Sequence, residues 1–460
     1  MRGRPTNEQF RQQLDHLIQT LKSEITEGRY EPGTELPSEK ALAARFGLSN
    51  ISVRKGLGTL AEEGWIEKIP NVGNRVMRRR PSVVLTLGLN ETTVRNMALT
   101  ELLEDFGRLH SWINVKLKMY STSPEYERAN ADTIDVFTLS TMQFQQLCDQ
   151  GGTGILEPRE ADPELYPFLN ELFSHEGVSY LQPVIFGPVV LCYNKRHFRD
   201  RGLAEPTGGW TWHDLVHCAE KLTEGERYGF CFHLPDINRW PIFLLQSGER
   251  LAAKWKPHGA DDASRLVEGA RLCKEIVYNR NAFPMYMSED NEDIGRMFLE
   301  GKLSMALVSY MALNDWKQAD VEYDIAPVPF MHEPRTIVIA TGAAVASASK
   351  HKEEARLLVD YLISDRAQSL IRKHTLSVPA RQRTEPSGWG EQIVNIPSRY
   401  MLYRDMLFSY RTHRDLPVAV SSLAMLSRLL KAYWANMATE EQLYRDIGEL
   451  IDHRGGRTDS

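Results

Sequence analysis

The apolar positions at the start of the chain keep a helical period. Phe10, Leu14, Leu17, Ile18, Leu21 and Ile25 share one face between residues 7 and 28, and Thr6 with Gln9 suits a capping box ahead of them. Tyr30-Glu31-Pro32-Gly33 then reverses the chain, with Pro and Gly in turn positions. Ser38 is placed to cap a second helix that Gly47 ends; Ser49 caps a third, in which Val53, Leu57 and Leu60 form the buried stripe. Residues 64–69 and 74–77 read as two short strands around a Gly-containing turn. After residue 82 the pattern changes. Val83-Val84-Leu85-Thr86-Leu87-Gly88-Leu89 is a nearly unbroken apolar run, the signature of a buried strand. Further strands at 115–120, 134–137 and 189–193 alternate with helical stretches such as 143–150. That order predicts an α/β architecture with a largely parallel sheet.

Three helices and a two-stranded wing within eighty residues follow the helix-turn-helix plan. Length then divides the chain. At 460 residues it exceeds what one hydrophobic core holds. Domains are expected at residues 6–78 and 83–453, with a junction at 79–82. Charge divides it the same way: residues 1–80 hold 14 Lys+Arg against 10 Asp+Glu, and the rest hold 41 against 51. A basic head on an acidic body suits a nucleic-acid-binding module joined to something else. The Arg78-Arg79-Arg80-Pro81-Ser82 junction supplies either phosphate contacts or a solvated linker. Cys148, Cys192, Cys218, Cys231 and Cys273 are scattered and odd in number, so isolated core thiols are expected, with neither a disulfide framework nor a zinc site. The N-terminal residues lack the apolar core of a signal peptide, and no apolar run is long enough to span a bilayer; a cytoplasmic protein without membrane contact is the expectation.

Within the first segment, Gly28, Pro32-Gly33, Leu36-Pro37-Ser38-Glu39, Leu42-Ala43, Gly47, Ser49, Ser52-Val53-Arg54, Leu57, Leu60, Gly64, Gly73 and Val76 resemble the gluconate-repressor (GntR) family. The resemblance implies an α+β winged helix-turn-helix and double-stranded operator DNA as its partner. It also implies DNA contacts from Lys40, from Ser49, Asn50, Ile51, Ser52 and Arg54, and from the wing at Gly73 and Arg75. Helical geometry agrees: positions 50, 51 and 54 point away from the 53/57/60 stripe. Arg54 suits a guanine edge or a phosphate, Asn50 an adenine, and Ile51 a thymine methyl. Three departures stand out. Asn50 occupies a position where family members often carry Arg. Gly56 and Gly58 each cost about 1 kcal/mol of helix propensity against Ala. The wing turn, residues 70–74, carries little charge. A symmetric operator bound by a homodimer is expected, because one such module makes few contacts.

The larger segment resembles family 1 solute-binding proteins, the maltose-binding-protein type. Ile134-Asp135-Val136-Phe137 with Gly154-Ile155-Leu156-Glu157-Pro158 matches one strand and the turn after its helix. Gln182-Pro183-Val184 through Leu191-Cys192-Tyr193-Asn194-Lys195 and Phe198 matches a strand that crosses between lobes. Trp210-Thr211-Trp212-His213-Asp214-Leu215 continues the series, followed by Ala219–Thr223 and Tyr228-Gly229-Phe230. Residues 298–306, Ala326-Pro327-Val328-Pro329, 349–355 and Ser377-Val378-Pro379-Ala380 complete it. The resemblance implies a type II periplasmic-binding-like α/β fold of two lobes that close on a small polar ligand, a carbohydrate by family analogy. It places the ligand near Asn90 and Glu91, Leu139 and Ser140, Asp236, Asn238, Arg239 and Trp240, and Tyr310, whose ring would stack on a sugar.

No catalytic residue, cofactor or metal site is expected. Two other classes compete with this reading. One is a regulator fused to a pyridoxal-phosphate aminotransferase, which needs a Schiff-base lysine. Ser347-Ala348-Ser349-Lys350 could pass for that site or for a β-lactamase Ser-x-x-Lys, but it sits between an apolar strand and an amphipathic helix. The other is a binding protein that uses its head only to dimerise, against which the intact Arg54 and Leu36–Glu39 turn argue. His213 and His217 lack the Glu of a zinc-protease motif and read as surface residues.

Overall fold

The computed structural model describes residues 7–70, 72–77, 82–119, 133–247, 259–285, 288–383, 390 and 393–455, apart from the side chains of 7–12, 259–263 and 452–455. The Thr6/Gln9 capping box, the Phe10 side chain, Asn71 of the wing turn, junction residues 78–81 and Tyr120 lie outside the described residues. The chain divides into two compact units, residues 1–84 with 105–114 and residues 85–104 with 115–460.

The N-terminal head consists of α1 (Asn7–Thr26), α2 (Glu39–Phe46), α3 (Asn50–Glu62) and the antiparallel strands β1 (Ile66–Ile69) and β2 (Gly73–Val76). Leu17, Leu21, Leu42, Val53, Leu57 and Leu60 are wholly buried and join the three helices in one cluster. Ser38 caps α2 by accepting from Ala41 N–H, and Gly47 ends it in the left-handed conformation at φ 65°. Gly56 has a packing reason. A Cβ there would stand 2.5 Å from Leu17 Cδ2 and 3.2 Å from Leu14 Cδ1, so the missing side chain lets α1 lie against α3. Gly58 has no such reason, since a Cβ would meet only Lys68 Nζ at 3.6 Å. Glu24 is a buried carboxylate tying α1 to α2 and to the turn between them. It accepts from Arg45 Nη1 at 2.8 Å, from Arg45 Nη2, and from Arg29 Nη1 at 2.6 Å. The Arg45 hydrogen bonds, more than the Arg29 charge, hold its carboxyl below the usual range against the opposing cost of burial.

The second unit carries a ten-stranded sheet. Its main strands are β3 (Val83–Leu89), β4 (Ile113–Met119), β5 (Val136–Ser140), β6 (Gln182–Asn194), β7 (Tyr228–Cys231), β8 (Leu303–Ser309), β9 (Tyr323–Ala326) and β10 (Thr336–Val345). The order is β4-β3-β5-β10-β6-β8-β7, with β9 and Val378–Pro379 also on β6 and Tyr410–Arg411 on β10. The sheet is mixed, not largely parallel as the element order suggests. β3 runs parallel to β5 and β7 to β8, but β10 opposes both β5 and β6, and β6 opposes β8 and β9. The reason lies in β6. Its first half, Gln182–Pro188, pairs with β10 and its second half, Val189–Asn194, with β8 and β9, so one strand crosses from one lobe to the other. All thirteen residues of β6 are buried, which explains an apolar run without alternation.

Candidate DNA-reading face and solute cavity

On α3 the three positions assigned to base contact are exposed. Asn50 and Arg54 face solvent, and Ile51 is 80% exposed, far beyond what an isoleucine chosen for packing shows. Lys40, Gly73 and Arg75 are exposed as well. Ser49 and Ser52 differ in role. Ser49 Oγ accepts from Ser52 N–H at 3.2 Å and lies 2.8 Å from Ser52 Oγ, so the two hydroxyls cap α3, and Ser52 is buried. Sequence reasoning missed Glu39, although it stands in the motif. Its carboxylate accepts from Arg54 Nε at 3.2 Å to each oxygen and from Nη2 at 2.8 Å. These bonds, with the Arg54 charge and a smaller pull from Lys68, hold the Glu39 carboxyl below its usual range. Glu39 therefore takes the Nε–Nη2 edge of the guanidinium, and the Arg54 side chain remains 66% exposed. The pair borders an open notch of about 520 Å³ lined also by Ser38, Lys68, Gly73 and Asn74.

In the second unit the loops at Asn90 and Ser140 meet through Gln143. Its side-chain oxygen accepts from Asn90 Nδ2 at 3.4 Å and from Ser140 N–H at 2.9 Å, and Ser140 caps the helix Thr141–Asp149. Glu91 is exposed on the next turn. Asp236, Asn238 and Arg239 form one group in which Arg239 is buried and the other two are half-buried. Asp236 pairs with Arg239 at 3.3 Å and accepts from Asn238 N–H at 2.8 Å and Asn291 Nδ2 at 2.7 Å, while Arg239 Nε donates to Leu307 O at 3.1 Å. Arg239 also lines a cavity of about 640 Å³. Across it Arg95 bridges Asp315 at 2.8 Å and Glu292 at 3.9 Å. Burial raises the Asp315 carboxyl above its usual range, and the Arg95 charge only partly offsets it. Asn96 and Trp316 complete a mixed polar and aromatic wall, with Trp316 stacked on Phe298 at 5.0 Å.

Three residues assigned to the ligand lie in the core instead: Leu139, Trp240 and Tyr310 are at most 1% exposed. Tyr310 Oη donates to Tyr400 O at 2.9 Å and accepts from Tyr403 N–H at 3.1 Å, and its ring packs edge-on to both tyrosines. Gly187 makes the space, since a Cβ there would stand 2.7 Å from Tyr310 Cβ. Tyr310 presents no open stacking face, and neither does Trp316 six residues on, which is 2% exposed with its ring stacked on Phe298. Arg95, Asn96, Asp315 and Trp316 were missed because single positions four and five residues past Glu91, or at the end of an apolar turn, carry no pattern. The Ser-x-x-Lys stretch is taken up structurally. Ser347 Oγ donates to Gly154 O at 2.7 Å, Ser349 Oγ to Asp135 Oδ1 at 2.6 Å, and Lys350 is exposed. His213 and His217 are exposed on their helix.

The comparisons follow the same division. The profile of bacterial extracellular solute-binding proteins matches residues 91–369, and that of bacterial regulatory proteins of the gntR family matches residues 13–76. An HTH-type transcriptional regulator of Escherichia coli, YieP, is 43% identical over 61 residues, 13% of this chain and 26% of that protein. A maltodextrin-binding protein of Bacillus subtilis is 24% identical over 224 residues, 45% of this chain and 51% of that protein. The chain thus spans about half the length of the curated solute-binding relatives it matches. An ABC substrate-binding protein from Listeria monocytogenes, solved in complex with cycloalternan, superposes with a TM-score of 0.68 at 18% identity, over 82% of this chain and 99% of that one. Among the described residues no helix is long and apolar enough to cross a membrane. The chain belongs to the bacterial extracellular solute-binding protein family and carries ahead of that domain a gntR-family helix-turn-helix.

Proposed function

We propose that this protein is a cytoplasmic transcription regulator that binds a symmetric operator as a homodimer and changes its operator affinity when its two-lobed domain takes up a small polar solute of the carbohydrate class. The single observation that carries the reading is the open Asn50-Ile51-Arg54 face, preset by Glu39, on a chain whose remainder has a solute-binding fold. An exposed isoleucine beside an exposed arginine suits a thymine methyl next to a guanine in a major groove. The cavity of Arg95, Asp315 and Asn291 supplies charged and amide groups for the hydroxyls of a sugar. The maltodextrin-binding relative and the cycloalternan complex favour a sugar over other polar solutes.

The test starts from double-stranded DNA enriched from a random library by the full chain. The expected result is a two-fold symmetric site protected by two chains. No enriched sequence, or a single chain on one half-site, overturns the reading. For the solute, a panel of mono- and oligosaccharides is screened by thermal shift against wild type and Asp315→Asn. A hit should lose at least tenfold in affinity in the variant; unchanged affinity removes this cavity from the account.

A further inference from the structure

A second cavity, of about 410 Å³, is lined by Arg335, Arg399, Pro327, Val328, Met406 and Phe408. Arg335 is the unusual member. It is 8% exposed and forms no ion pair among the described residues. Its one side-chain acceptor is Leu245 O, 3.1 Å from Nη1, and its buried Nε–H has none. Burial pushes its pKa down, the Arg411 charge adds to that, and Glu333 and Asp415 act in the other direction. Its backbone is fixed nonetheless. Gln246 Nε2 donates to both Arg335 O and Pro329 O at 2.9 Å, and Gln246 Oε1 accepts from Trp212 Nε1 at 2.7 Å, all buried. A guanidinium buried without a counter-ion is costly unless something else supplies the negative charge. A water can accept from Nε but leaves the charge unpaired.

The rest of the lining supplies one further cation, one carboxylate and an apolar body. Arg399 is already matched, donating to Glu205 at 3.2 Å and to Pro206 O at 2.7 Å. Asp405, exposed at the same wall, is the carboxylate an incoming anion must avoid. Pro327, Val328, Met406 and Phe408 give an apolar body to the site. Its volume holds on the order of a dozen non-hydrogen atoms at the roughly 30 Å³ a water takes in the liquid. We propose that this cavity is a second solute site, for a small anion bearing a carboxylate or phosphate, with the Arg335 guanidinium as its charge partner. Because Arg335 directly precedes β10 and Ser398 Oγ donates to Asp324 of β9, an anion here would tie the start of one sheet strand to the segment 398–409.

The test uses the full chain with two probes, inorganic phosphate and citrate, each against chloride at matched ionic strength. The expected result is a saturable rise in melting temperature and a calorimetric titration with at least one probe. Which probe binds decides between phosphate and carboxylate. Arg335→Met should weaken that binding at least tenfold, and Arg95→Ala, in the other cavity, should leave it unchanged. Should Arg335→Met fail to fold, Phe408→Asp serves instead: the position is 70% exposed, and a carboxylate on the rim should also weaken binding tenfold. Saturation by neither probe, or equal binding in the Arg335 or Phe408 variant, overturns the proposal.

Discussion

Arg54 and Glu39 show how one ion pair divides labour on a recognition helix. The pair is exposed enough that its worth for stability is small. Its effect is on geometry, because one edge of the guanidinium is already spoken for. Arg54→Ala should cost about 1–3 kcal/mol on the preferred site, and less on random DNA, in gel shifts at fixed salt. Glu39→Gln should raise affinity for random DNA while lowering the ratio of specific to random binding; equal losses on both DNAs would make Arg54 a phosphate contact. Glu24 makes a different prediction, because it is buried. Its folded-state pKa is depressed, so its contribution is fully present above the ordinary carboxylate value near 4.5 and is lost as pH falls through the lower, folded-state value. Glu24→Gln should destabilise the head by about 1–3 kcal/mol at pH 7, and the gap to wild type should close on acidification in thermal melts. A gap independent of pH would remove the carboxylate charge from the argument. At this scale the sequence was partly legible. Ser38, Ser49 and Arg54 announce themselves by position in a motif, whereas Glu24 is one more acidic residue on a polar helix face until Arg45 and Arg29 are seen around it.

Among elements, α3 carries the clearest contrast. Two glycines inside a helix read alike in sequence, yet only Gly56 meets a neighbour. Gly58→Ala should stabilise the head by about 0.5–1 kcal/mol, since helix propensity improves and the site is open. Gly56→Ala should give no gain, because the new methyl must displace Leu17 in the core. Equal stabilisation by both, measured by chemical denaturation, would contradict the close approach of α1. The alternation of strands and helices gave the α/β class, but not the strand directions. β6 and β10 are long, largely buried, and antiparallel to the main strands beside them, and nothing in a buried apolar run states which way it runs. The same blindness put Tyr310 at a ligand. Spacing after β8 located the turn correctly but could not show that Gly187 opens room for the ring to sink against Tyr400 and Tyr403.

For the whole molecule, the division of charge and the two family profiles fall on either side of the same junction: residues 1–80 are net basic and the rest net acidic, with the profiles at 13–76 and 91–369. The proposed function requires that occupancy of one domain alter the affinity of the other. Such coupling is reciprocal by thermodynamic necessity. The short junction favours transmission, and a long Gly-Ser insert after Arg80 should reduce it. The most direct test takes the saccharide that stabilises the full chain in thermal shift and the DNA that the chain itself enriches. Operator affinity is measured with and without saturating saccharide, and saccharide affinity with and without operator. The account predicts a change of at least fivefold, about 1 kcal/mol, equal in the two directions; operator and saccharide affinities that are each indifferent to the other would contradict it.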